Sequence, residues 1–350
     1  MRDVLGTLER WAAEGLRAAG ATVVRVDRSA PRQPGAVMAI SERGGVAGSV
    51  TGGCVEPAVY EEAEAVLAGE PPRLLTYGIA DEYAFGVGLP CGGSVQIFVE
   101  PLDLDLVASI AAAIRSERPL AYLTTVRGPG LGARGVVSGD PDGPLAAWAK
   151  ARPEVVAQAR ALLARGETGV VRVDEDEVFV SSFVPRPNMY VFGAIDHAAA
   201  VATVGRFLGY RVTVCDARAA FVTPERFPAV DELVVEWPHE FLARAPVDER
   251  TAICVLTHDH RFDIPLLKVA LETPALYIGA MGARRTTEQR EARLRDEGVP
   301  ESALTRIHAP IGLPIGSRTP EEVAIAIAAE LVAVGRRGSA TLTREALARV

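Results

Sequence analysis

Four cysteines in 350 residues are too few to staple a chain of this size. A disulfide scaffold is therefore excluded, and a reduced, cytoplasmic protein is expected. No uncharged apolar run reaches the ~18–20 residues that a membrane span needs. Residues 1–20 lack the basic, apolar and small-residue order of a secretory leader. Positive charge is not in excess: the formal net charge is −8, which argues against a nucleic-acid or anionic-membrane partner. Repeats and low-complexity segments are also missing. What the chain does have is apolar bulk, 49% of its residues, enough for a large core. Its length suggests about two domains.

The most informative stretch is 189–216. An apolar run, Met189–Phe192, meets Gly193; helical spacing follows over Ala198–Leu208, and a second apolar run, Arg211–Cys215, ends in Asp216. Strand, glycine turn, helix and strand with a closing carboxylate is the order of a Rossmann half, whose helix N-terminus attracts anions and whose carboxylate holds a ribose hydroxyl. The fingerprint departs from G-x-G-x-x-G: its three positions hold Gly193, Ile195 and Ala198. Ala198 still lets helix and strand pack. Ile195 brings a branched side chain, and Asp196 a negative charge, to the place where a pyrophosphate must approach the backbone; Asp196 alternatively caps the helix.

These signals divide the chain into an N-terminal α+β domain over 1–184, a proline-stiffened linker over 185–188, a doubly wound parallel α/β domain over 189–335 and a tail over 336–350. In the first domain the spacing predicts a helix over Val4–Ala18 and strands over Ala21–Asp27, Ala36–Ile40 and Val46–Val50. Next comes Thr51-Gly52-Gly53-Cys54-Val55-Glu56, a glycine turn opening a helix that stops at Gly69. A thiol there is expected to feel the helix dipole, which favours thiolate; the alternative is that Cys54 simply packs the turn. Cys91 lies in a second glycine loop, beside Gly92 and Gly93, ahead of the strand Ser94–Glu100. Cys215 and Cys254 fall inside apolar runs and read as core. A helix over Leu104–Arg115, strands over Ala121–Val126, Ala133–Val137, Gly169–Val173 and Val178–Phe183, and a helix over Leu145–Ala164 complete this part.

In the second domain, strand Thr251–Leu256 runs into Thr257-His258-Asp259-His260. Loops at the carboxyl ends of such strands form the ligand crevice, so His258 and Asp259 are candidates for hydrogen bonding or proton transfer. The alternative is that they cap the helix Ile264–Leu271; His258 and His260 lack an evident third ligand for a metal. Strand Ala275–Gly279 leads to Gly282, Arg284 and Arg285, which suit an anionic group or else only make surface ion pairs. Thr286 and Gln289 have capping-box spacing for that helix. A proline- and glycine-rich loop, 310–318, precedes a complete helix start at Thr319-Pro320-Glu321-Glu322, followed by the apolar helix Val323–Val334.

Five stretches, GSVTGGCVE (48–56), PCGGSVQIFVEPL (90–102), CVLTHD (254–259), YIGAMGARRT (277–286) and PIGLPIGSRTPEE (310–322), together give a chain that resembles the XdhC/CoxI family, the accessory proteins of xanthine dehydrogenase and related molybdenum hydroxylases. The resemblance implies an XdhC-type N-terminal domain, and a maturation protein that binds molybdenum cofactor, supports its sulfuration and delivers it to an apo-hydroxylase of the xanthine or CO dehydrogenase type. A cysteine desulfurase would be a further partner, and the assembly is left open, a homodimer included. On this reading Cys54 and Cys91 contact the metal end at a cleft between the domains, with Gly52, Gly53, Gly92 and Gly93 allowing close approach. Gly193, Asp216, Gly282, Arg284 and Arg285 serve the rest of the cofactor or a nucleotide such as NAD(P). The chain departs from the family's GAGHVG type at 193–198, where it reads GAIDHA. Two other readings compete: an NAD(P)-dependent oxidoreductase using His258 as acid/base and Asp216 on the ribose, and a sulfur carrier with a persulfide on Cys54 or Cys91.

Overall fold

The computed structural model describes residues 1–28, 30–78, 93–138 and 151–336. It divides into two compact units, residues 1–185 and 186–350.

In the first unit, helix α1 (Leu5–Ala13) leads to strands β1 (Ala18–Asp27), β2 (Val37–Ser41) and β3 (Val46–Gly48), helix α2 (Glu56–Leu67), and strands β4 (Arg73–Tyr77) and β5 (Ser94–Pro101). The helix expected to run to Ala18 ends at Ala13. Gly15 turns the chain, and Ala18–Ala21, buried throughout, pair with β2 on one side and β5 on the other. Neutral alanines thus follow the tertiary pairing and not their own helix preference. Strand β4, absent from the sequence reading, pairs with β5; its RLLTY run is only half-buried and has no clean alternation. The sheet is antiparallel in the order β3-β2-β1-β5-β4.

Helix α3 (Leu104–Arg115), strands β6 (Leu120–Arg127) and β7 (Arg134–Ser138), helix α4 (Pro153–Arg165), and strands β8 (Gly169–Val173) and β9 (Asp176–Phe183) follow. They form a second antiparallel sheet, β7-β6-β9-β8. Helix α4 begins at Pro153, a residue suited to a first helical turn; the part of the expected helix over 145–150 lies outside the described residues. Two apolar clusters fill the cores beneath α2 and α4.

The second unit is a six-stranded, wholly parallel sheet. Strands β10 (Asn188–Phe192), β11 (Arg211–Cys215), β12 (Glu232–Val234), β13 (Ala252–Val255), β14 (Tyr277–Ala280) and β15 (Ile307–His308) lie in the order β12-β11-β10-β13-β14-β15. The helices are α5 (Asp196–Phe207), α6 (Pro238–Leu242), α7 (His260–Glu272), α8 (Arg284–Asp296), α9 (Glu301–Leu304) and α10 (Pro320–Gly335). Alternate side chains of β10 serve opposite faces. Met189 and Val191 pack with α5 and α10, whereas Tyr190 and Phe192 pack with α6 and α7. Burial on both faces explains why these strands read as continuous apolar runs. The order reverses between β10 and β13, so the loops after Phe192 and Val255 flank the switch point where doubly wound sheets hold ligands. Among the described residues no helix is long and apolar enough to cross a membrane.

Candidate functional site

The turn bearing Cys54 is built around a carboxylate. Glu56 Oε1 accepts from Ser49 Oγ (2.7 Å), Thr51 N (2.8 Å), Gly52 N (2.8 Å) and Val50 N (3.2 Å). Oε2 accepts from Thr51 Oγ1 (2.7 Å), Gly53 N (2.8 Å) and Val55 N (3.2 Å). Burial pushes this carboxyl upward, but the donors of Thr51, Ser49 and Gly52 outweigh it and hold the group well below the usual range. Gly52 and Gly53 have φ of +88° and +129°, which lets consecutive amides face one acceptor. A Cβ at either glycine would meet nothing within 4 Å, so the outer side of the turn is open. Cys54 is half-buried, its side chain resting against the cluster that includes Val50, Val55 and Val59. The amides of Gly52, Gly53 and Val55, which flank Cys54, all point at Glu56. Cys215 and Cys254 are buried, and burial pushes both thiols up to about 12. Cys91 and Gly92 lie outside the described residues; Gly93 is buried just ahead of β5.

At the carboxyl edge of the parallel sheet, Gly193 (φ +104°) turns the chain directly against the loop after β13. A Cβ there would stand 2.8 Å from Thr257 Cγ2 and 3.1 Å from Thr257 N. Asp216, 2% exposed, ties this turn down: Oδ2 accepts from Ala194 N (2.8 Å), and Arg218 donates from its backbone N and from both Nε and Nη2 (2.9, 2.9 and 2.7 Å). Burial works against the charge, yet these bonds hold the Asp216 carboxyl below its ordinary value. Its oxygens thus serve the loop, where the sequence suggested a ribose. Asp196 does not cap α5. Ile195 is the residue ahead of the helix, and Asp196, in its first turn, pairs with Arg226 Nη2 at 3.1 Å. Arg226 also donates to Ala194 O and Phe221 O, a clamp with no signature in the local sequence.

In the neighbouring loop, Asp259 caps α7 by accepting from Arg261 N (3.0 Å). Its side chain also pairs with the Arg261 guanidinium, and these bonds lower the carboxyl to about 2. His258 is exposed, and among the described residues no three His, Cys, Asp or Glu side chains gather to hold a metal. After β14, the chain enters α8 at Arg284 with Ala283 ahead of it and no side-chain cap. The capping box expected from Thr286 and Gln289 does not form, because Thr286 already lies within the first turn. Arg284 and Arg285 are exposed in that turn and make no hydrogen bond or ion pair among the described residues. Behind them lies a buried group that sequence reasoning missed. Arg290, 1% exposed, donates to Asp263 Oδ2 (3.0 Å) and Met281 O (2.6 Å), while Thr257 Oγ1 donates to Asp263 Oδ1. Its Nε and Nη1 have no partner among the described residues. In a helix as charged as RRTTEQREARLRD one inward arginine is indistinguishable from its solvated neighbours. The loop 310–318 is pinned by Glu330, 0% exposed, which accepts from Tyr277 Oη (2.6 Å) and Gly312 N (2.9 Å). The capping box at Thr319 and Glu322 forms as the sequence indicated.

Two antiparallel sheets carrying a glycine-turn cysteine, joined in sequence to a parallel six-stranded unit with a cationic carboxyl edge, define a two-unit α/β protein with a Rossmann-type second half. Profile comparison matches residues 189–331 to the XdhC Rossmann domain and residues 11–78 to the XdhC and CoxI family. The chain belongs to the XdhC and CoxI family. It is 25% identical over 326 residues, 91% of this chain and 93% of the other, to a Bacillus subtilis protein described as a probable xanthine dehydrogenase subunit. It is 28% identical over 333 residues, 94% and 88% of the two chains, to the Escherichia coli molybdenum cofactor insertion chaperone PaoD. A crystal structure from Bacillus halodurans, described as a xanthine dehydrogenase, shares the fold with a TM-score of 0.67 at 22% identity, covering 96% of this chain and 97% of the other.

Proposed function

We propose that this protein is a maturation factor for molybdenum hydroxylases. It carries molybdenum cofactor as cargo, supports installation of the cofactor's sulfido ligand with a cysteine desulfurase as sulfur source, and hands it to an apo-enzyme of the xanthine or CO dehydrogenase type. The observation that carries this reading is Cys54: a half-buried thiol on a turn whose two glycines leave the approach open. Molybdenum with oxo and sulfido ligands is thiophilic, so a thiol suits its metal end; Cys91 is assigned the same role. The relative described as a molybdenum cofactor insertion chaperone supports the choice of cargo.

In the second unit, Arg284 and Arg285 have no anion to satisfy them among the described residues and stand in the first turn of α8, where a helix prefers negative charge. They fit the phosphate of the pterin or of an attached nucleotide. Gly193 and Gly282 shape the loops beside that edge, and His258 and Asp259 border it. An NAD-type pose is less well supported, since the Asp216 carboxylate is already engaged by four N–H groups.

The test is to purify the protein from molybdenum-replete cells and assay bound molybdenum and pterin, for the wild type and for Cys54→Ser and Cys91→Ser. Loss of both in either variant is expected. Retention unchanged in both variants would overturn the thiol assignment. Mass spectrometry after incubation with a desulfurase distinguishes a persulfide on the same cysteine from metal ligation.

A further inference from the structure

Every residue from Ser49 to Val55 except Cys54 donates at least one hydrogen bond to the Glu56 carboxylate. The loop closes on an internal anion, and Cys54 is the one residue left out of the ring. Two cross-links inside the loop, Gly52 N to Ser49 Oγ at 2.9 Å and Val55 N to Thr51 Oγ1 at 3.3 Å, use hydroxyls that are themselves bound to Glu56. A Cβ at Gly52 or Gly53 would meet nothing within 4 Å, so these two residues are held through their amides and not by packing around them. A seven-donor carboxylate is therefore what fixes the backbone on both sides of the thiol.

We infer that Glu56 is the positioning residue for Cys54: its carboxylate templates the Ser49–Val55 turn and so sets the orientation in which the thiol is presented to the cargo. This deepens the maturation-factor reading and rests on Cys54 being the contact residue. The role needs a charged group with two acceptor oxygens at one chain length. A glutamine would turn an NH2 toward donors, chiefly Gly53 N and Val55 N. An aspartate would fall short by one methylene. An alanine would leave seven donors around an empty space. Residues that orient a metal ligand from behind cost roughly tenfold to a hundredfold in metal affinity when removed, and a loss of that size is expected here.

The experiment compares the full-length wild type with Glu56→Gln, Glu56→Asp, Glu56→Ala and Cys54→Ser. The first readout is the rate at which Cys54 is alkylated by neutral iodoacetamide in the native protein, followed on its peptide by mass spectrometry. The second is the molybdenum and pterin retained after purification, and thermal unfolding checks that each variant is folded. Glu56→Gln and Glu56→Ala are expected to change the alkylation rate severalfold and to lose the cofactor, with Glu56→Asp intermediate. Millimolar formate, a carboxylate able to enter the vacated ring, is expected to return Glu56→Ala toward wild-type alkylation. Should Glu56→Ala fail to fold, the glutamine and aspartate variants carry the same comparison. Variants that melt earlier yet alkylate at the wild-type rate and keep the cofactor would reduce Glu56 to a purely structural anchor and overturn the inference. A folded Cys54→Ser that retains cofactor would overturn the cargo contact alone, because the alkylation readout judges Glu56 without it.

Discussion

Gly193 stands where three chain segments leave no room for a side chain. Its amide donates to Cys215 O, its φ is +104°, and Thr257 occupies the space a Cβ would need. Gly193→Ala therefore combines a left-handed backbone with a 2.8 Å contact and is expected to destabilise the second unit by about 1–3 kcal/mol, readable as a lower denaturation midpoint. The neighbouring Asp216 gives a pH signature. Its carboxyl is lowered in the folded state, so its contribution is fully present above the unfolded value of about 3.9 and is lost as pH falls through the lower folded value. Asp216→Asn is expected to flatten the acid limb of the stability curve below about pH 4 and to cost stability at neutral pH. A variant with the wild-type acid limb would contradict the assignment. At this scale the sequence was informative about residue type and much less so about partners. That Gly193 and Asp216 mattered followed from their spacing. That Asp216 would bind Ala194 and Arg218 depended on a loop conformation no local pattern encodes.

Among the elements, α8 carries the sharpest contrast between exposed and buried charge. Arg284 and Arg285 face solvent, whereas Arg290, six and five residues further on, lies beneath them against Asp263. Burial raises the Asp263 carboxyl, and Arg290 and Thr257 work against that rise. Removing one partner of such a pair strands the other, typically at about 3–5 kcal/mol. Arg290→Met is expected to lose stability in that range by chemical denaturation. Arg290→Met with Asp263→Leu is expected to recover much of the loss, since apolar replacement of a whole buried pair is often close to neutral; a double variant no more stable than the single would contradict this. Elements with strong periodicity, such as β10, β11, α5 and α10, were legible from the chain because burial on a fixed face leaves a regular imprint. Strand β4 was not, since it is short and half-exposed, and α1 was overextended because alanine suits either state until β2 and β5 pair with it. The Glu56 ring was half legible. Ser49, Thr51, Gly52 and Gly53 marked a turn, but only the folded loop shows that a carboxylate two residues after the cysteine sits at its centre.

The molecule as a whole divides into two compact units, 1–185 and 186–350. Each has its own sheets and apolar clusters. Fragments cut at that boundary are expected to fold on their own, each showing a cooperative thermal transition and native-like circular dichroism. A second-unit fragment that melted without cooperativity would show that its parallel sheet depends on the first half.

The two exposed arginines that open α8 have a consequence for how the cargo would be taken up. Attraction between exposed charges fades over about 8–10 Å at physiological ionic strength, whereas a sulfur–metal bond is indifferent to dissolved salt. Raising potassium chloride from about 20 to 500 mM is therefore expected to slow capture of an anionic pterin while leaving cargo already seated in place. Arg284→Ala with Arg285→Ala would show the slow capture at every ionic strength. A stopped-flow series across salt concentrations would then separate the pull that brings the cargo in from the grip that keeps it.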